Sequence, residues 1–158
     1  MKNVIKLLFL ISVSAVAVAS QEVPSNSLGV IVADQMTQGQ LVWLKGRVGN
    51  AIYRFSDPDG RDCTMELPVA IGSVSDSGLG FSETKGFTLY VVSEKLNQAI
   101  QRGQRINSEK WRFSPNASES PIDGFIAGGI SKDEGFILNS KRRWISWFMG
   151  EEAKLECS

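Results

Sequence analysis

The run from Gln40 to Leu67, QLVWLKGRVGNAIYRFSDPDGRDCTMEL, constrains the fold more than any other stretch of this chain. Its side chains alternate with a period of two, which places successive residues on opposite faces of a sheet. Val42, Leu44 and Val48 share one face, and Lys45 and Arg47 lie on the other. Gly49-Asn50 then supplies a two-residue turn signal, because glycine reaches the positive φ that tight hairpins need. Ala51, Tyr53 and Phe55 alternate with Ile52, Arg54 and Ser56. Asp57-Pro58-Asp59-Gly60 is a second turn: proline presets φ, aspartate bonds the backbone, and glycine takes the left-handed position. Cys63, Met65 and Leu67 point one way beyond it. The run therefore reads as a three-strand meander.

The N-terminal MKNVIKLLFLISVSAVAVAS has Lys2 and Lys6 ahead of an uncharged apolar run, closed by small residues. Ala17-Val18-Ala19 matches the pattern cut by signal peptidase, so residues 1–19 read as a cleaved export signal, cut after Ala19 or Ser20. The run is short for a membrane span, which needs about 20 apolar residues, although an uncleaved anchor is the alternative. Residues 20–158 then form a single β-rich domain, and no stable membrane span is expected after cleavage. Cleavage leaves 15 basic against 17 acidic residues. That balance offers no electrostatic case for nucleic acid or an anionic membrane.

The chain has two cysteines, Cys63 and Cys157, and export brings both into an oxidising compartment. The expected state is a disulfide between them. A free thiol and an intermolecular bridge are the alternatives. No metal is expected, because two cysteines without a single histidine cannot build the usual structural zinc sphere.

Elsewhere, Leu28–Ala33 and Phe87–Val92 are β-branched or aromatic runs of strand type. Ser93 is a candidate N-cap for one short helix over about Ser93–Arg102. Leu96, Ala99 and Ile100 form its apolar stripe, and Gly103 stops it. Its Lys95 and Arg102, with the nearby Arg105, are read as solvated. Glu109–Ser114, Gly124–Ile130, Gly135–Asn139 and the alternating Ala153, Leu155 and Cys157 supply further strands. Pro68 ends a strand or bends it, with Val69–Val74 continuing beyond. The expected fold is mainly β: a small antiparallel sandwich or a Greek-key, OB-like barrel with one short α-helix.

The chain contains no histidine, which excludes Ser-His-Asp and Cys-His catalysis. No P-loop or dinucleotide glycine pattern occurs, and no cofactor is expected. Asp57, Asp59, Asp62 and Glu66 are close enough in sequence for paired-carboxylate hydrolysis, but Asp57 and Asp59 occupy turn positions. Calcium at DPDGRD lacks the distal glutamate of an EF-hand loop. Arg142, Arg143, Trp144, Trp147 and Phe148 are the candidate binding residues, since arginine beside exposed aromatics suits a protein partner or a sugar face. A core strand is the competing reading of that segment, and Trp43 and Trp111 are expected in the core.

The order of strands, one helix and further strands resembles small Greek-key barrels of the OB type, including toxin B subunits. Val92–Ile130 resembles secreted invasion-associated locus B proteins in its short helix, Gly103, the following strand and Gly124-Phe125. Neither resemblance rests on a diagnostic motif, and order alone does not assign function. The expected role is an exported, non-catalytic binding protein of a bacterial envelope, periplasmic or secreted, that engages another protein. A glycan-binding adhesin or toxin subunit and a histidine-free hydrolase are the rivals.

Overall fold

The computed structural model describes residues 24–41, 44–73, 85–140 and 155–158. The strands are β1 (Gly29–Gln35), β2 (Thr37–Leu41), β3 (Leu44–Ser56), β4 (Asp62–Ser73) and β5 (Lys85–Val91). Helix α1 (Glu94–Gln101) follows, then β6 (Ile106–Asn107), a 3-10 turn at Ser108–Lys110 and β7 (Phe113–Ser114). The chain continues through β8 (Gly124–Gly128), β9 (Gly135–Leu138) and β10 (Leu155–Cys157).

All of these strands belong to one sheet, ordered β6-β9-β4-β3-β1-β5-β8-β7, with β2 added beside β3 and β10 beside β4. Every pairing is antiparallel except β7 with β8. The molecule is thus mainly β with one helix, as expected, and takes the form of a single curled, open sheet rather than two facing ones. The curl brings its two ends together, so that Phe113 of β7 meets Phe136 of β9 edge-on, with ring centroids 4.7 Å apart.

The core lies on the concave side. Ile31, Ala51, Tyr53, Leu67, Val69, Leu89 and Val91 are buried there by strict alternation along their strands. Helix α1 fits against this surface through Leu96, Ala99 and Ile100, all buried. Its ends follow the sequence reading: Ser93 Oγ accepts from Leu96 N at 3.2 Å, and Gly103 adopts φ 68°.

The meander needs one correction. Gly49-Asn50 is not a turn, because β3 runs unbroken from Leu44 to Ser56 and pairs with β4 from Lys45↔Ser73 to Ser56↔Asp62. Gly49 serves a close approach instead: a Cβ there would lie 3.1 Å from the Gln35 carbonyl oxygen. With no turn, the parity set by Ala51, Tyr53 and Phe55 carries back along the strand. It turns Arg47 to the concave side and leaves Val48 outside, 52 % exposed. A break of phase moves every side chain across the sheet, which is why one misplaced turn inverted that face.

Pro68 sits inside β4 and breaks nothing. Its carbonyl accepts from Ser140 N at 2.9 Å, on the edge away from β3. In a strand the nitrogen of the same residue points to that same edge, so no bond of the β3 ladder is lost. The second turn forms as read: Asp57 Oδ1 accepts from Asp59 N and Arg61 N, both at 2.9 Å, and Gly60 has φ 79°.

Two smaller corrections concern Glu109–Ser114. It is not one strand: Glu109 and Lys110 belong to the 3-10 turn, which Asn107 caps by accepting from Glu109 N at 3.0 Å. Trp111 is half-buried at the core margin rather than within it, with Lys95 Nζ 4.9 Å from its ring centroid.

Tyr53 is fully buried and its hydroxyl donates to Asn97 Oδ1 at 2.9 Å, tying β3 to α1. Burial, with a smaller push from the Glu94 carboxylate, raises its pKa well above that of a free tyrosine. Because the folded pKa is the higher one, its contribution is complete below about pH 10 and is lost as pH rises beyond that. Tyr53→Phe is expected to cost about 1 kcal/mol at neutral pH. It should also flatten the fall of stability above about pH 10, whose slope is at most about 1.4 kcal/mol per pH unit for one group. Urea melts between pH 7 and 11 check both.

Candidate functional site

Where the two ends of the sheet approach, they do not close. An open cleft of about 610 Å³ occupies the seam, with β7 and β8 on one wall and β9 with the 3-10 turn on the other. Phe113, Ile126 and Phe136 supply its apolar part. Ser114, Asn116, Glu119 and the tetrad Ser131–Glu134 supply the polar rim.

The rim is internally braced. Glu134 Oε2 accepts from Ser131 N at 2.9 Å, closing the tetrad on itself. The same oxygen accepts from Arg47 Nη2 at 2.9 Å, and that nitrogen also donates to the Gly129 carbonyl. Arg47 therefore bridges β3 to the loop that forms one lip of the cleft, at 15 % side-chain exposure against 22 % for Glu134. On the opposite lip, Ser114 Oγ donates to Glu119 Oε2 and accepts from Asn116 N at 3.0 Å. Two of the cleft's carboxylates are thus already bonded to the protein.

Behind β7, Asp123 knots three segments together. Its side chain accepts from Ser93 Oγ at 2.8 Å and Arg112 N at 3.0 Å, and its carbonyl accepts from Val92 N at 2.9 Å. This fixes the start of α1 relative to β7 and β8. The knot is structural, since each of these bonds is internal to the fold.

Arg47→Met keeps the bulk of the side chain but leaves Glu134 without its cation. It is expected to cost about 2 kcal/mol, in the range for a hydrogen bond to a charged group. Faster amide exchange at Ser131 and Glu134, with Leu89 unchanged, would locate the effect in the lip.

The candidate binding residues Arg142, Arg143, Trp144, Trp147 and Phe148 lie outside the described residues, as does the side chain of Trp43. Residues 1–23, which contain the expected export signal, also lie outside them. The Cys63–Cys157 disulfide is present, with its Cα atoms 4.1 Å apart. Asp57 lies beside it, its carboxylate within 4.8 Å of both sulfurs. Joined to each other, those sulfurs carry no thiolate, so the trio lacks the donors a zinc site needs. Lys95, Arg102 and Arg105 are exposed, as expected.

Nothing in the sequence brings the two lips of the cleft together, and alternation alone set Arg47 on the face opposite Val42, Leu44 and Val48. One available signal was the spacing of Glu134 after Ser131, where a side-chain oxygen can cap a short turn. Nothing local announces the pairing of Arg47 with Glu134 across 87 positions.

No protein-family model, curated protein or solved structure matches this chain. The resemblances in element order to OB-type barrels and to invasion-associated locus B proteins therefore add nothing to the geometry. Among the described residues no helix is long and apolar enough to cross a membrane.

Proposed function

We propose that this is an exported, non-catalytic binding protein of a bacterial envelope, and that it engages another protein through the seam of its sheet. The observation that carries this reading is the construction of the cleft: apolar side chains at Phe113, Ile126 and Phe136 within a charged and polar rim. An apolar centre with a polar margin is the usual anatomy of a protein contact. The prior bonding of Glu119 and Glu134 supports binding over hydrolysis, since a general acid or base must be available to substrate. Export rests on the basic and then apolar N-terminal run, and the disulfide suits an oxidising compartment.

Glycan binding is the second reading, favoured by Asn116 and Asp133 beside the half-buried Phe113 ring in the same cleft. The two readings separate in one experiment. Protein lacking residues 1–19 is used to capture partners from periplasmic and host-cell extracts, alongside Lys132→Glu on the lip and Arg102→Glu on the helix. The protein reading expects Lys132→Glu to weaken capture by about tenfold, equivalent to about 1.4 kcal/mol, and Arg102→Glu to leave it unchanged. Competition by free oligosaccharide would transfer the site to glycans. Equal loss from both variants, or none from either, would remove the seam from the function.

A further inference from the structure

The outer, convex face of the sheet stands apart from the seam and departs from the pattern of a wet surface. A strand with one solvated face alternates apolar and polar side chains, whereas a strand covered on both faces reads as a continuous apolar run. β1 begins GVIVA, with Ile31 and Ala33 in the core and Val30 and Val32 pointing outward, each partly exposed. Its neighbours add to the same outer surface. Val32 stands opposite Ile52 of β3, and Val30 stands opposite Tyr90 of β5. Tyr90 in turn stacks on Phe125 of β8, with ring centroids 6.1 Å apart. Among the described residues the α-helix lies on the concave side and every strand belongs to one sheet, so no element covers this patch.

We propose that a second copy of this chain covers the patch, in a symmetric dimer built face to face on β5, β1 and β3. Two observations commit the occupant to a copy. The patch is the broad face of a sheet, and such faces pack on one another by interdigitating side chains of this kind. Its fringe also carries both signs of charge. Arg54 lies opposite Thr64, and Ile52 lies opposite Glu66, so Arg54 and Glu66 are diagonal neighbours on the outer face. Both are exposed, and neither joins an ion pair among the described residues. A surface with an apolar centre and both signs at its fringe complements itself under a two-fold rotation.

Strand register specifies how the copies meet. With the two-fold axis in the plane of contact, midway between Arg54 and Glu66 and across the line joining them, each Arg54 faces the other copy's Glu66. That axis runs past Ile52 toward Val32, so these side chains meet their own counterparts. Apolar contact and two ion pairs therefore form together. Because the sheet curls away on either side, the contact is small, and the expected affinity is about micromolar rather than nanomolar. β3 and β1 lie in the middle of the strand order, whereas the seam lies at its two ends, so the dimer leaves the seam open to a partner of its own.

Sedimentation equilibrium of the full, disulfide-bonded chain from about 1 μM to about 1 mM tests this. The parent is expected to dimerise reversibly. Arg54→Glu and Glu66→Arg should each weaken the dimer at least about a hundredfold, because like charges then meet at both fringe contacts. Mixed with each other, these two variants should pair as the parent does, since every arginine again faces an acid. The double variant Arg54→Glu/Glu66→Arg should self-associate for the same reason. Val32→Thr keeps the strand preference and should weaken the dimer by about tenfold. Arg54 and Glu66 are exposed, so the single reversals should melt like the parent at low concentration. A chain that stays monomeric over this range, a dimer indifferent to either reversal or to Val32→Thr, or single reversals that fail to pair with each other would overturn the proposal.

Discussion

Replacing Cys63 and Cys157 together by serine is expected to lower the unfolding free energy by about 4–5 kcal/mol on the chain-entropy model. The bond spans 94 positions, and the freedom it removes from the unfolded chain grows with the logarithm of that span. The folded state contributes much less to the effect, because β10 adds no residue to the core. The loss should therefore appear mainly as a more expanded unfolded state: a lower urea midpoint with a steeper dependence on denaturant. If the double variant melts within about 1 kcal/mol of the parent, the cross-link model fails for this protein and the unfolded chain must already be compact. Such a loss is a large share of the 5–15 kcal/mol typical of a domain, so the variant is best studied at low temperature.

That effect was legible from residues alone, and so was much of the frame. Two cysteines behind an export-type leader pointed to one bridge, and the alternation of Cys63, Met65 and Leu67 placed it on a buried strand face. Ser93 and Gly103 bracketed the helix because capping is a local matter, decided within one turn of backbone. Asp57–Gly60 was legible for the same reason. Gly49-Asn50 carried a similar turn signal and formed none. There, pairing with β4 on one side and close contact with the Gln35 backbone on the other overrode local preference. The consequences spread beyond that dipeptide. Arg47 lies inward because of it, and the cleft's main brace depends on Arg47.

The seam itself was beyond local reading. It exists because a sheet with β6 and β9 toward one end and β7 and β8 at the other curls far enough for Phe113 to reach Phe136. Asp123, too, stands in no recognisable motif, and only the folded chain shows it gathering bonds from Ser93 and Arg112. A site assembled from strand ends that are far apart in sequence leaves no motif.

Gly129→Ala is expected to be the most damaging single substitution near the seam, with a loss of about 3–5 kcal/mol. Two independent costs combine. Gly129 has φ 82°, a conformation that an L-residue with a Cβ adopts only under strain. The added Cβ would also lie 2.0 Å from the Gly86 carbonyl oxygen and 2.6 Å from Phe87 Cα. Both of those are backbone atoms of β5, an interior strand of the sheet, so no side chain can swing away to make room. The chain must shift at the end of β8, where Gly129 also offers its carbonyl to Arg47. Damage should therefore reach the cleft as well as the core. The expected signature is a lowered melting temperature together with rapid exchange at Ser131 and Glu134, and no rescue by Arg47→Met. If Gly129→Ala instead melts within about 1 kcal/mol of the parent, the β8 end is free to move, and the rigid lip attributed to Arg47 and Glu134 would have to be abandoned.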